Sequence, residues 1–227
     1  MYCMKKYFFH ILLLSTGALN LYAQADAARL APGAESQLEL LLNRPTMVKP
    51  ALATPLGRNW FTLETDIHAF TDQVSLSQVR TVLLDIDNQD KYYSGKRSKI
   101  NTTIISRTAG ETIADFVSIT IIPLGIQIKT PYRAAVRPTE NTDSRFVIEI
   151  RQLSADSETN RDIKNLFSTR LVEEVTINGV KYVYIRMRII QDVNASILPG
   201  ARRTLENNAG PMNEEAIQMI IAAALTK

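Results

Sequence analysis

Asn178-Gly179 constrains the fold more than any other pair of residues in this chain. It separates two runs rich in β-branched and aromatic side chains, residues 169–177 and 180–190. Asparagine and glycine tolerate the positive φ angles of a type I′ turn, so the dipeptide predicts a two-residue hairpin. A loop of that length also sets the register, pairing Ile177 with Val180, Val175 with Tyr182, Glu173 with Tyr184 and Leu171 with Arg186. Side chains alternate between the faces of a strand. Tyr182, Tyr184, Arg186 and Glu173 therefore share one face, and Val172, Val183, Ile185 and Met187 share the other. Both faces carry apolar side chains, so the sequence leaves open which one is inner.

The same reasoning extends outward from the hairpin. Asn59 to Phe70 alternates as a strand, with Phe61, Leu63, Ile67 and Ala69 on one face and Thr62, Glu64, Asp66 and His68 on the other. Ser75 and Gln78 have the spacing of a capping box, and Val79, Val82, Leu83 and Ile86 recur at helical intervals behind them. A basic loop, Lys91 to Lys99, leads into further strands broken at Ala109-Gly110, Leu124-Gly125, Pro138 to Asp143 and Ser154 to Lys164. The chain closes on a helix expected to begin at Pro211, with Glu214 and Glu215 complementing the dipole of its first turn. Ile217, Ile220, Ile221, Ala224 and Leu225 give that helix a wide apolar face, which has to be buried against the sheet.

Ahead of the first strand the pattern changes. Lys5 and Lys6, the apolar run Tyr7 to Leu14 and Ala23-Gln24-Ala25 read as a secretory signal peptide over residues 1–25. Its apolar run is too short to span a bilayer. Residues 26–58 read as a Pro/Ala-rich leader or linker with one short helix at Ala34 to Asn43, and residues 59–227 as the folded domain. Cleavage removes Cys3 and His10, which leaves no thiol and His68 as the single histidine. Of 26 Lys and Arg, two lie in the signal peptide, which has no acid, leaving 24 against 23 acidic residues. Such a balance lacks the strongly basic face that a nucleic-acid binder needs.

A strand, a helix, a basic loop, about six further strands and an apolar terminal helix form the element order of the START-like helix-grip superfamily, which includes lipid-transfer domains and polyketide cyclases. The chain resembles it from Asn59 to Lys227. The resemblance implies an α+β fold in which a curved antiparallel sheet of about seven strands grips the long C-terminal helix, with one further helix after the first strand. It also implies a ligand cavity between sheet and helix.

Catalytic signatures are sparse. No Gly-x-Ser-x-Gly elbow and no phosphate-binding glycine loop occurs among the nine glycines. The familiar zinc sites draw on Cys and His, which the mature chain nearly lacks. Asp85, Asp87 and Asp90 offer alternate oxygens, but without the glycine and terminal glutamate of a calcium loop they read as a polar helix end. No cofactor or metal is expected, and no catalytic residue is assigned. The expected function is an exported, periplasmic or extracellular, non-catalytic protein that binds an apolar or amphipathic small molecule, such as a lipid. Glu173, Tyr182, Tyr184 and Arg186 with Ile217 and Ile221 are the candidate cavity residues, and Lys96, Arg97 and Lys99 the candidate headgroup contacts. The alternatives are a cyclase- or hydrolase-type enzyme using His68, Glu64 and Asp66, and a cell-envelope module that binds a protein partner. No nucleic acid partner and no transmembrane anchor in the mature form is expected.

Overall fold

The computed structural model describes residues 33–48, 51–57, 59–121, 125, 127–153, 162–194, 196 and 200–227. The signal-peptide expectation lies outside these residues, as do parts of the leader. Nine strands form one antiparallel sheet: β1 (Thr46–Met47), β2 (Leu52–Pro55), β3 (Trp60–Thr71), β4 (Ser98–Arg107), β5 (Thr112–Ile121), β6 (Gln127–Asn141), β7 (Arg145–Gln152), β8 (Ile163–Ile177) and β9 (Val180–Asn194). Their order is β1-β3-β9-β8-β7-β6-β5-β4, with β2 also paired to β3. This exceeds the expected count of about seven. The two extra strands come from the segment read as leader, where short pieces interrupted by proline carry no alternation long enough to register as strands. The hairpin register holds at all four expected pairs, and Asn178 and Gly179 both have positive φ, 52° and 81°.

Among the described residues four α-helices accompany the sheet: α1 (Leu38–Leu41), α2 (Leu76–Leu84), α3 (Gln89–Tyr92) and α4 (Ala201–Ala224). At α2 the Ser75 and Gln78 capping box forms reciprocally, and Leu76, Val79, Val82 and Leu83 are buried. The terminal helix starts ten residues before Pro211, so this proline is interior rather than at the first turn. A proline there removes one backbone donor, and a helix tolerates it where surrounding contacts hold both halves. Those contacts are visible. Glu214 accepts the amide of Met47 at 2.9 Å, and Glu215 accepts the amides of Lys96 and Arg97, both at 2.9 Å. The two glutamates therefore tie β1 and the basic loop to the middle of α4, in place of the expected dipole role. Gly210 allows the close approach of β1, since a Cβ there would meet Met47 Cε at 2.7 Å.

The principal core lies between α2, α4 and one face of the sheet. It contains Ile67, Phe116, Tyr132, Phe146, Ile148, Val172, Val183, Ile185, Met187, Ile217, Ile220 and Ile221. A second cluster, on the opposite face, gathers Phe70, Val147, Leu171 and Tyr184 beneath Ala34 and Leu41. The short helix expected at Ala34 to Asn43 is realised as a 3-10 turn, Glu35–Gln37, followed by α1. Both faces of the central strands are thus covered, one by α4 and the other by residues 34–48.

Candidate functional site

A cavity of about 150 Å3 lies between the sheet and the first two thirds of α4. Its walls include Leu63 of β3, Ile100 of β4, Thr120 of β5, Tyr132 of β6, Ile150 of β7, Arg170 of β8 and Met187 of β9. Leu205, Ala209, Met212, Asn213 and Ala216 of α4 close it. Six inter-strand steps separate β3 from β4, or about 29 Å in a flat sheet. Side chains from both can line one cavity of this size only because the sheet curls around the helix. Register shifts at Ile104/Ser106, Pro138/Glu140 and Lys164/Phe167 supply local bends.

The wall is mostly apolar and Arg170 is its one charged side chain among the described residues. Parity explains its placement: Leu166, Ser168, Arg170 and Val172 follow one another on the inner face of β8. Arg170 is 9% exposed. Its Nη1 donates to the Tyr93 hydroxyl at 2.6 Å, and its guanidinium carbon lies 5.1 Å from the Tyr93 ring centre. Its Nε and the Ser168 hydroxyl, both buried, meet no hydrogen-bond partner among the described residues. Burying a charge without a counter-ion costs several kcal/mol, which the cation-π contact offsets only in part. Burial pushes the Tyr132 phenol up to about 12 and raises that of Tyr93 too, against the pull of Arg170, so both stay neutral and able to donate at physiological pH.

The expected cavity residues of the hairpin lie elsewhere. Val183, Ile185 and Met187 pack toward α4, so alternation turns Tyr182, Tyr184, Arg186 and Glu173 to the opposite face. Ile217 and Ile221 are in the core with α2 rather than on the cavity wall. The physical reason is coverage: residues 34–48 supply the apolar lid that makes the tyrosine face equally buried. The expectation missed Arg170 and Ser168, although the hairpin register, continued down β8, would have placed them beside Val172.

On the outer face the polar side chains form a ladder between β3 and β9. Arg186 donates from Nε and Nη2 to the two oxygens of Asp66 at 2.9 and 2.7 Å, and Arg188 donates to Glu64 at 2.7 Å. His68, 2% exposed, sits between Asp66 (Nε2 at 3.1 Å) and the Tyr184 hydroxyl (Nδ1 at 2.8 Å). Of the acid/base set considered for an enzyme, His68 and Asp66 therefore meet, on the face opposite the cavity and beside β1, whose Thr46 pairs with His68, while Glu64 is held by Arg188. Burial pushes the Asp66 carboxyl up, but the hydrogen bonds from Arg186 and His68 and the Arg186 charge outweigh it and hold the carboxyl well below the usual range.

Lys96, Arg97 and Lys99 are exposed. They flank the cavity through Ser98, whose side chain lines it, while the backbone of Lys96 and Arg97 is held by Glu215. Asp85 accepts from Tyr92 and from Asn88, and Asp87 pairs with Arg107 at 2.8 Å, as expected of a polar helix end. No group of three His, Cys, Asp or Glu side chains suited to a metal ion occurs among the described residues. No helix among them is long and apolar enough to cross a membrane.

No family model matches the chain, and no curated protein does. Among solved structures, a hypothetical protein from Helicobacter pylori is similar at 17% identity and a TM-score of 0.48, covering 69% of this chain and 84% of its own. A protein from Thermus thermophilus is similar at 9% identity and a TM-score of 0.48, covering 72% and 94%. A conserved protein from Geobacillus kaustophilus is similar at 12% identity and a TM-score of 0.45, covering 72% and 96%. Likenesses at this level assign no function.

Proposed function

We propose that this protein is an exported, non-catalytic binder of a small apolar or amphipathic molecule, held between the sheet and α4 in the manner of a START-like helix-grip domain. The observation that carries the reading is the cavity, walled by seven strands and closed by α4. A mostly apolar wall with a few convergent polar groups is what a small-molecule site requires. Export rests on the pattern of residues 1–25. The volume narrows the ligand, because a mostly apolar space of about 150 Å3 takes one aromatic ring. A single ring or a short chain fits, whereas a two-chain lipid needs a wider site.

Native mass spectrometry of the chain recovered from an exporting host tests both parts. The expected spectrum shows a polypeptide beginning near Asp26 and carrying a small-molecule adduct. Ala216→Phe, which places a ring in the cavity at a cost of about 1–3 kcal/mol in stability, should remove the adduct while the protein remains folded. An adduct that persists in Ala216→Phe argues against this cavity as its site.

A further inference from the structure

We propose that the ligand is a monoanion, a carboxylate on a short apolar body, and that Arg170 is its counter-ion; this rests on the reading of the cavity as a ligand site. Three other arginines of the sheet are paired bidentately with carboxylates, while Arg151 packs over the Phe167 ring at 5.2 Å. Arg133 meets Asp115, Arg186 meets Asp66 and Arg188 meets Glu64, each through two nitrogens of the guanidinium. Arg170 is buried almost as deeply as Arg186, yet it has only the Tyr93 hydroxyl and ring, and no carboxylate among the described residues. Its Nε and the neighbouring Ser168 hydroxyl are buried without acceptors, in two residues that line the cavity.

These groups match one chemistry. A guanidinium presents parallel donors to the two oxygens of a carboxylate, and Ser168 and Tyr93 stand in the same wall. An ammonium ligand would be repelled, and a neutral one would leave the charge uncompensated. A phosphate dianion would need a second cation, and the described wall has one. The apolar remainder of the ligand faces Leu63, Ile150, Met187 and Met212.

Calorimetric titration of the full chain with hexanoate, 1-hexanol and hexylamine separates this inference from the reading beneath it. Hexanoate should bind at least about tenfold more tightly than 1-hexanol, the span of one charged hydrogen-bonded contact, and hexylamine more weakly than either. Arg170→Gln should abolish the preference for hexanoate over 1-hexanol, while Arg170→Lys should keep part of it. If hexanoate binds no better than 1-hexanol or hexylamine to the unaltered protein, the anion inference is overturned and the cavity reading stands. If none of the three binds, both fall. Should Arg170→Gln fail to fold, the comparison of the three probes on the unaltered chain still decides.

Discussion

Asp66→Asn is expected to lower the unfolding free energy by about 3–5 kcal/mol at neutral pH, the usual cost of removing one partner from a buried ion pair. Arg186 is 6% exposed and spends both Nε and Nη2 on the Asp66 carboxylate. An amide can accept from one side but cannot neutralise the guanidinium, and it also loses its match to His68. The effect carries a pH signature. Because Asp66 titrates lower in the folded chain than the ordinary carboxylate value near 4, its contribution is fully present above about pH 4 and is lost as pH falls through the folded value. Urea midpoints from pH 7 to pH 3 should therefore show a constant gap between the two proteins down to about pH 4, narrowing below it. A gap that is already closed at pH 6 would contradict this account of the outer-face ladder.

Truncation should separate two starting points sharply. A chain that begins at Gly33 keeps α1, β1 and β2, and it should stay soluble and unfold cooperatively. One that begins at Asn59 uncovers Phe70, Val147, Leu171 and Tyr184, all buried beneath Ala34 and Leu41, and strips six registered pairs from the edge of β3. Leu41 is fully buried, and Leu41→Ala alone should cost about 2–5 kcal/mol. The longer deletion should exceed that and approach the whole stability of an ordinary domain, about 5–15 kcal/mol. Its expected outcome is insoluble protein or a broad, weakly cooperative transition. A soluble chain from Asn59 with an unshifted midpoint would show that residues 33–58 contribute nothing to folding.

What the sequence made legible follows from periodicity. The hairpin register, the two faces of β3 and the capping box at Ser75 each depend on neighbours a few residues away, and each holds. The choice between the two hairpin faces does not depend on neighbours. Tyr184, Phe70 and Leu171 are as apolar as Val183, Ile185 and Met187, and only the path of residues 34–48 distinguishes them. That path has no period to read, because Pro45 interrupts it and its strand β1 is two residues long. Pro211 misled for a related reason: its local preference for a first turn was overridden by contacts from Glu214, Glu215 and Gly210 to distant parts of the chain. Arg170 sits between these cases. Its face could be read from the register, but its lack of a carboxylate is a property of the assembled sheet.

Methyl spectroscopy of methionine-labelled protein tests the central claim, that the space between sheet and α4 holds the ligand. Met187 and Met212 line the cavity, whereas Met47 and Met219 pack against the core beside it. On adding hexanoate, the Met187 and Met212 methyls should shift and show cross-peaks to the ligand chain, with Met47 and Met219 showing no such cross-peaks. Ligand cross-peaks that reach Tyr182 or Tyr184 on the outer face, with Met187 and Met212 unmoved, would contradict the account.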